Sequence, residues 1–548
     1  MMKKYLALLT FIAVASLAAC GNGGGGNVPQ LVKGTGAATA PTPQGGAVLV
    51  GVGDSLTFGE QADMMLGAPT PNPGTALGYV PPGQPSGFFA VMYDCVTSTT
   101  ATCNHVPYSI LNPTLPANAS LVNNVLPLIG GPGLGNEIII TAPPNPTLGT
   151  LQTGCEPFNL AAYGASTWED TRLNATAGIA DLGIPGLTMH EAVAMNGPYE
   201  GPPTQSTSGC GYATLPNDPT SGGLQSLVQS ENQLFLPVLG EFYPAYGSSL
   251  TELNVATGMS PKLTTVWLGA NDLLKYIFSA GTAPSSDTPT QMATDLTQIV
   301  KALTAKGSKV LIADLPTMMP TTGTSVPYFF PQAKISADLQ ALGLPAAAAD
   351  AITAYVGTKY GVTTGGYITV SAMFTIFATC ENPKTAAMCV TPNLDPSGAG
   401  SGLGNEYLPP AFVAQVQAVN AAYNQAIDGV AKQFASAAPG QVALVNINAL
   451  FQQASSGGGS TLPGLPAPLT LQYGGGLVSW DGLHPSNAGY AIIANDFIAT
   501  ADTPAASGGL GMTIPPLSLV QLLQIAGNDP YDPYVLKAGN PSSPFPLP

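Results

Sequence analysis

The chain has 548 residues, of which only 8% are charged, against about 25% in an ordinary soluble domain. Lys plus Arg number 14 and Asp plus Glu 30, a net charge of −16, which argues against nucleic acid as a partner and disfavours electrostatic docking on anionic lipid, since both need a basic face. Hydrophobic residues make up 45%, enough for a large core, while 65 Gly and 53 Pro mark a folded chain rich in loops.

In chain order, Lys3 and Lys4 precede a mostly apolar run from Tyr5 to Ala19. That run is too short to cross a bilayer with its flanks and predicts a signal peptide over 1–19. Leu17-Ala18-Ala19-Cys20 resembles a bacterial lipobox. The resemblance implies lipidation of Cys20 and attachment to a membrane through an N-terminal lipid anchor. Gly21 in place of an Asp implies the outer membrane, on its periplasmic or surface-facing side. The Gly-, Pro-, Ala- and Thr-rich stretch that follows predicts a flexible tether over 20–46. Setting Cys20 aside, the other cysteines number six, an even set in an exported chain. Proximity along the chain pairs Cys95 with Cys103, Cys155 with Cys210 and Cys380 with Cys389, with free buried thiols as the alternative.

Four short apolar runs predict buried parallel strands: Ala47–Val52, Leu263–Leu268, Lys309–Ala313 and Val442–Ile447. None alternates cleanly with polar residues, as expected where both sheet faces are covered. Phe158–Ala162 is a fifth candidate. Helices are predicted between them. Met292, Leu296, Ile299 and Leu303 recur at three and four residues, behind a Thr288-Pro289 start. Phe412, Val416, Val419, Tyr423, Ile427, Val430 and Phe434 do the same. Tyr490, Ile493 and Phe497 form a shorter stripe after Ser486. Strands alternating with helices predict an α/β sheet.

The polar residues that carry chemistry fall at the ends of these runs. Ala47–Val52 leads into Gly53-Asp54-Ser55-Leu56, and the carboxyl ends of parallel strands are where open α/β sheets bind ligands. Leu263–Leu268 ends in Gly269-Ala270-Asn271-Asp272. Near the C-terminus stands Asp481-Gly482-Leu483-His484, with one of only three histidines. A serine nucleophile needs a histidine base held by a second group. Gly164, within Tyr163-Gly164-Ala165, offers a place where backbone approaches a substrate closely. Taken singly, Ser55 reads as a helix cap, His484 as a structural histidine, and Gly164 and Asn271 as turn residues.

Together, in the order Ser, Gly, Asn, His, these blocks resemble the GDSL, or SGNH, hydrolases. The resemblance implies a three-layer α/β/α, flavodoxin-like fold of about five parallel strands. It implies Ser55 as nucleophile, His484 as base and then acid, and Asp481 as the group orienting the imidazole. The Ser55 and Gly164 backbone N–H groups and the Asn271 side chain would form the oxyanion hole. Asp54, Thr57 and Asp272 belong to the motifs but are assigned capping and turn roles. Leu315-Pro316 is similar to the longer, lipase-like members. The hydrolase domain is placed at 47–503, with insertions near 65–150, 196–255 and 317–410, and a Pro/Gly-rich tail over 504–548.

No Gly-x-Ser-x-Gly, Walker, HExxH or EF-hand pattern occurs, so neither a metal nor a cofactor is expected. The expected function is hydrolysis of a lipid-like or other neutral carboxylic ester at the cell envelope. An O-acetyl esterase acting on carbohydrate is the enzymatic alternative. A non-catalytic lipoprotein that binds glycan or a partner is the alternative of another class.

Overall fold

The computed structural model describes residues 47–61, 83–107, 179–194, 249–278, 287–320, 328–341, 345–369, 407–455, 459–460, 462–472, 475–479 and 482–529. It adds the short pieces 120, 125–126, 238–239, 242–246 and 281. The main elements, in chain order, are β1 (Leu49–Gly53), α1 (Ser55–Phe58), α2 (Phe88–Val96), α3 (Met189–Ala194) and α4 (Glu252–Gly258). They continue with β2 (Leu263–Trp267), α5 (Ala270–Phe278), α6 (Pro289–Ala305), β3 (Lys309–Ala313) and β4 (Phe329–Pro331). Then come α7 (Ile335–Ala341), α8 (Ala346–Tyr360), β5 (Tyr367–Thr369), β6 (Tyr407–Leu408), α9 (Pro410–Ala437), β7 (Val442–Val445), α10 (Ile447–Gln453), α11 (Asn487–Asp502) and α12 (Leu519–Asn528).

The main sheet has four parallel strands in the order β1-β2-β3-β7. Every residue of β1 and β2 is buried, which is why their sequences lack alternation. Helices α4, α6 and α9 cover one face, and α2 and α11 the other. The expected α/β/α layering is therefore present, with four regular strands among the described residues. A fifth parallel neighbour exists without regular strand form. Gly51 N–H donates to the Ala180 carbonyl at 2.9 Å, and the Leu182 and Ile184 N–H groups return to Gly51 and Gly53 at 3.0 Å. Phe158–Ala162, the expected fifth strand, lies outside the described residues. The fourth strand stops at Val445, because the Asn446 side chain accepts the Ala449 N–H and caps α10.

The core beneath the sheet's α11 face is aromatic. Phe88 stacks on Phe497 at 4.8 Å between centroids and meets Trp267 edge-on at 5.3 Å. All three are at least 99% buried, and truncating a ring of this size in such a place costs about 3–5 kcal/mol. Cys95 and Cys103 form the one expected disulfide that falls within the described residues. Cys20, Cys155, Cys210, Cys380 and Cys389 lie outside them.

The segment expected as an insertion over 317–410 contains regular structure. β4, β5 and β6 make a small antiparallel sheet, and α7 packs on α8. Beyond Thr503, among Pro and Gly residues, α12 packs on α11. Its capping box pairs the Ser518 and Gln521 side chains with each other's backbone.

Candidate active site

β1 delivers Ser55 to the carboxyl edge of the sheet through a turn with no spare room. A Cβ on Gly53 would lie 1.9 Å from Thr57 Oγ1 and 2.9 Å from the Trp267 carbonyl. Only glycine lets the strand run this close to β2 and still turn at once into α1. Asp54 caps that one-turn helix, its Oδ1 accepting the Leu56 N–H at 3.0 Å. Gly59, at φ 80°, ends the helix in the left-handed region. Asp54 thus has its expected capping role. The buried Thr57 hydroxyl has no hydrogen-bond partner among the described residues, so its expected turn bond is absent. Thr57 instead fills the space beside Gly53.

His484 comes from a loop closed on itself before α11. The Ser479 N–H donates to the His484 carbonyl at 2.8 Å, and Val478 bridges Pro485. Ser486 caps α11 by accepting the Gly489 N–H at 3.0 Å. The Tyr328 N–H, just before β4, donates to the Gly482 carbonyl at 2.7 Å. The small sheet therefore buttresses the histidine loop from outside. The result is one contact: His484 Nε2 and Ser55 Oγ are 2.8 Å apart, both buried, 429 residues apart in sequence.

Carboxyl groups crowd behind this pair. Glu60 Oε2 is 3.8 Å from His484 Nε2. Asp54 is fully buried, and burial pushes its carboxyl up to about 7. The Leu56 N–H and nearby His484 oppose that rise, and Glu60 adds to it. Glu252, in the first turn of α4, accepts the Gly53 N–H at 2.6 Å. Burial raises it well above the ordinary carboxylate range, with Asp54 and Asp181 adding to the rise. Asp181 is raised in the same way and accepts the Gly183 N–H at 3.1 Å. Asp54 Oδ2 and Glu252 Oε2 have no hydrogen-bond partner among the described residues. Among the described residues no group of three or more His, Cys, Asp or Glu is arranged to hold a metal ion.

Asn271 stands at the start of α5, partly buried, where its Nδ2 donates to the Leu187 carbonyl at 3.2 Å. Next to it, Asp272 accepts the Met189 N–H at 3.0 Å, the kind of structural bond expected of it. Burial, with Asp287 adding to it, pushes Asp272 up to about 8. Gly164 and Asp481 lie outside the described residues. Sequence reasoning missed Glu60 and Glu252. Glu60 follows the nucleophile by five residues and belongs to no motif. Glu252 carries only a helix-start signal after Thr251.

Residues 371–497 match the family model described as GDSL-like Lipase/Acylhydrolase. Over that stretch the chain is similar to that family. The matched stretch includes the Asp481-Gly482-Leu483-His484 block, and the fold brings Ser55, far outside it, to His484. The match supports an ester-hydrolase domain there, and the parallel sheet between two layers of helices is consistent with the α/β/α fold that the resemblance implies. No curated protein matches the chain.

Proposed function

We propose that this GDSL protein hydrolyses neutral, lipid-like carboxylic esters through an acyl-enzyme on Ser55. The observation that carries the proposal is the buried 2.8 Å contact between His484 Nε2 and Ser55 Oγ. A serine hydroxyl is a weak nucleophile until a base within hydrogen-bond reach takes its proton. His484 accepts that proton as Oγ attacks the ester carbonyl, then donates it to the departing alcohol. Water repeats the sequence, with His484 again as base, and frees the acid. Asp481, three residues before His484, holds the imidazole and stabilises its charged form.

The oxyanion of each tetrahedral intermediate is held by the Ser55 and Gly164 N–H groups and by Asn271. An amide nitrogen carries two protons, so the bond from Asn271 to the Leu187 carbonyl leaves one for the substrate. Each such donor lowers the barrier by about 3–4 kcal/mol. The preference for a neutral ester rests on charge: Glu60 lies 3.8 Å from His484, and the whole chain is acidic. The leader, with Cys20 as lipid anchor, places the enzyme at the cell envelope, at the outer membrane.

A fluorophosphonate probe tests the chemistry. Wild type should be labelled and Ser55→Ala should not; equal labelling of both, or none of either, overturns the proposal. A chain-length series of p-nitrophenyl esters then reads the substrate class. Preference for acetyl over longer chains would favour the carbohydrate O-acetyl esterase reading instead.

A further inference from the structure

We propose that Glu60 is a positioning residue for His484, stabilising the imidazolium from the side that faces Ser55. The inference rests on the reading of Ser55 and His484 as nucleophile and base. An orienting acid such as Asp481 acts on the nitrogen turned away from the nucleophile. Glu60 does something different, because its Oε2 lies 3.8 Å from Nε2 itself.

The placement is fixed from both sides of the site. Gly59 turns the chain at the end of α1, and the Glu60 N–H donates to the Ser55 carbonyl at 2.9 Å. The Glu60 carbonyl accepts the hydroxyl of Tyr490 at 2.9 Å. Tyr490 is fully buried on α11, the helix that follows His484. Glu60 is therefore tied to the element carrying the nucleophile and to the one carrying the base. Its side chain is 8% exposed, so water screens its charge little.

The distance decides the role. At 3.8 Å the carboxylate is too far to take the hydrogen bond that Ser55 holds at 2.8 Å. It is near enough for its charge to favour the protonated ring. The pair Ser55–His484 is left intact in the resting state, and the ion pair strengthens only when the proton has moved. The other titratable groups here are Asp54, which faces His484, and Glu252 and Asp181 behind it. Asp54 is held near neutral up to about pH 7 by burial.

The test is Glu60→Gln, which keeps size and polarity and removes charge. The acid limb of kcat/KM on a neutral p-nitrophenyl ester should move about one pH unit lower. The plateau kcat should fall by up to about tenfold, with KM changed less than about twofold. Should Glu60→Gln lose its circular dichroism, Glu60→Asp carries the test. Drawing the charge back by one methylene should move the limb about half a unit the same way. An unmoved limb in a folded variant overturns the assignment, as does loss of fold in both. Fluorophosphonate labelling of the wild type at Ser55 separates the two levels. No labelling overturns both readings, and labelling with an unmoved limb overturns Glu60 alone.

Discussion

The Glu252 carboxyl oxygen accepts the Gly53 backbone N–H at 2.6 Å, fastening α4 to the residue two places before Ser55. This bond is buried, so its loss strands an amide away from water. Glu252→Ala should lower unfolding free energy by about 1–3 kcal/mol, read by urea denaturation. Glu252→Gln retains an acceptor and should lose less. Equal losses in the two variants would show that the bond does not matter.

On the proposed mechanism Ser55 and His484 act on one proton, so their effects should not add. Ser55→Ala, His484→Ala and the double variant should each reduce kcat by roughly 10⁴-fold or more, to a similar residual rate. A double variant far slower than either single one would mean that they act independently.

Stability should fall as pH rises from acid to neutral. Asp54 is pushed up to about 7, Asp272 to about 8 and Asp314 to about 6, each mainly by burial, from an ordinary 3.8. Between 3.8 and those values the folded state holds more protons than the unfolded one. The favourable contribution is therefore complete below about 3.8 and gone by about pH 8, at up to about 1.4 kcal/mol per pH unit per group. Urea midpoints at pH 5 and pH 8 measure it. Asp272→Asn should flatten the slope, and an unchanged slope would rule out that group.

The disulfide between Cys95 and Cys103 closes a loop with a sequence separation of 8. It holds α2 against the segment carrying His105, whose Nδ1 pairs with Asp94 at 2.7 Å. Replacing both cysteines by Ala should remove about 2–3 kcal/mol on the loop-entropy account, seen as a lower melting temperature. The kcat of the folded double variant should stay within about twofold, since neither cysteine touches Ser55 or His484.

The strands were legible because they are buried on both faces, and four apolar runs placed them within a residue or two. Val442–Ile447 ran too long because Asn446, inside an apolar run, is a helix cap. The neighbour of β1 at 179–184 was hidden because Asp181, Gly183 and Pro185 interrupt its apolar pattern. Helix α8 was hidden for another reason: Ala-rich sequence favours a helix through propensity without drawing a stripe. At the site, Ser55 and His484 announced themselves through short motifs. Glu60 and Glu252 did not, since an acid in a turn or a first helical turn acquires its neighbours only when distant segments meet.

The 429-residue span between Ser55 and His484 has a temporal meaning. Protein synthesis makes Ser55 early and His484 more than four hundred residues later. On the proposed mechanism, a growing or truncated chain that stops before residue 484 holds Ser55 without its base and should show no esterase activity. The contact thus forms only once the chain has grown past residue 484 and that part closes over the first strand.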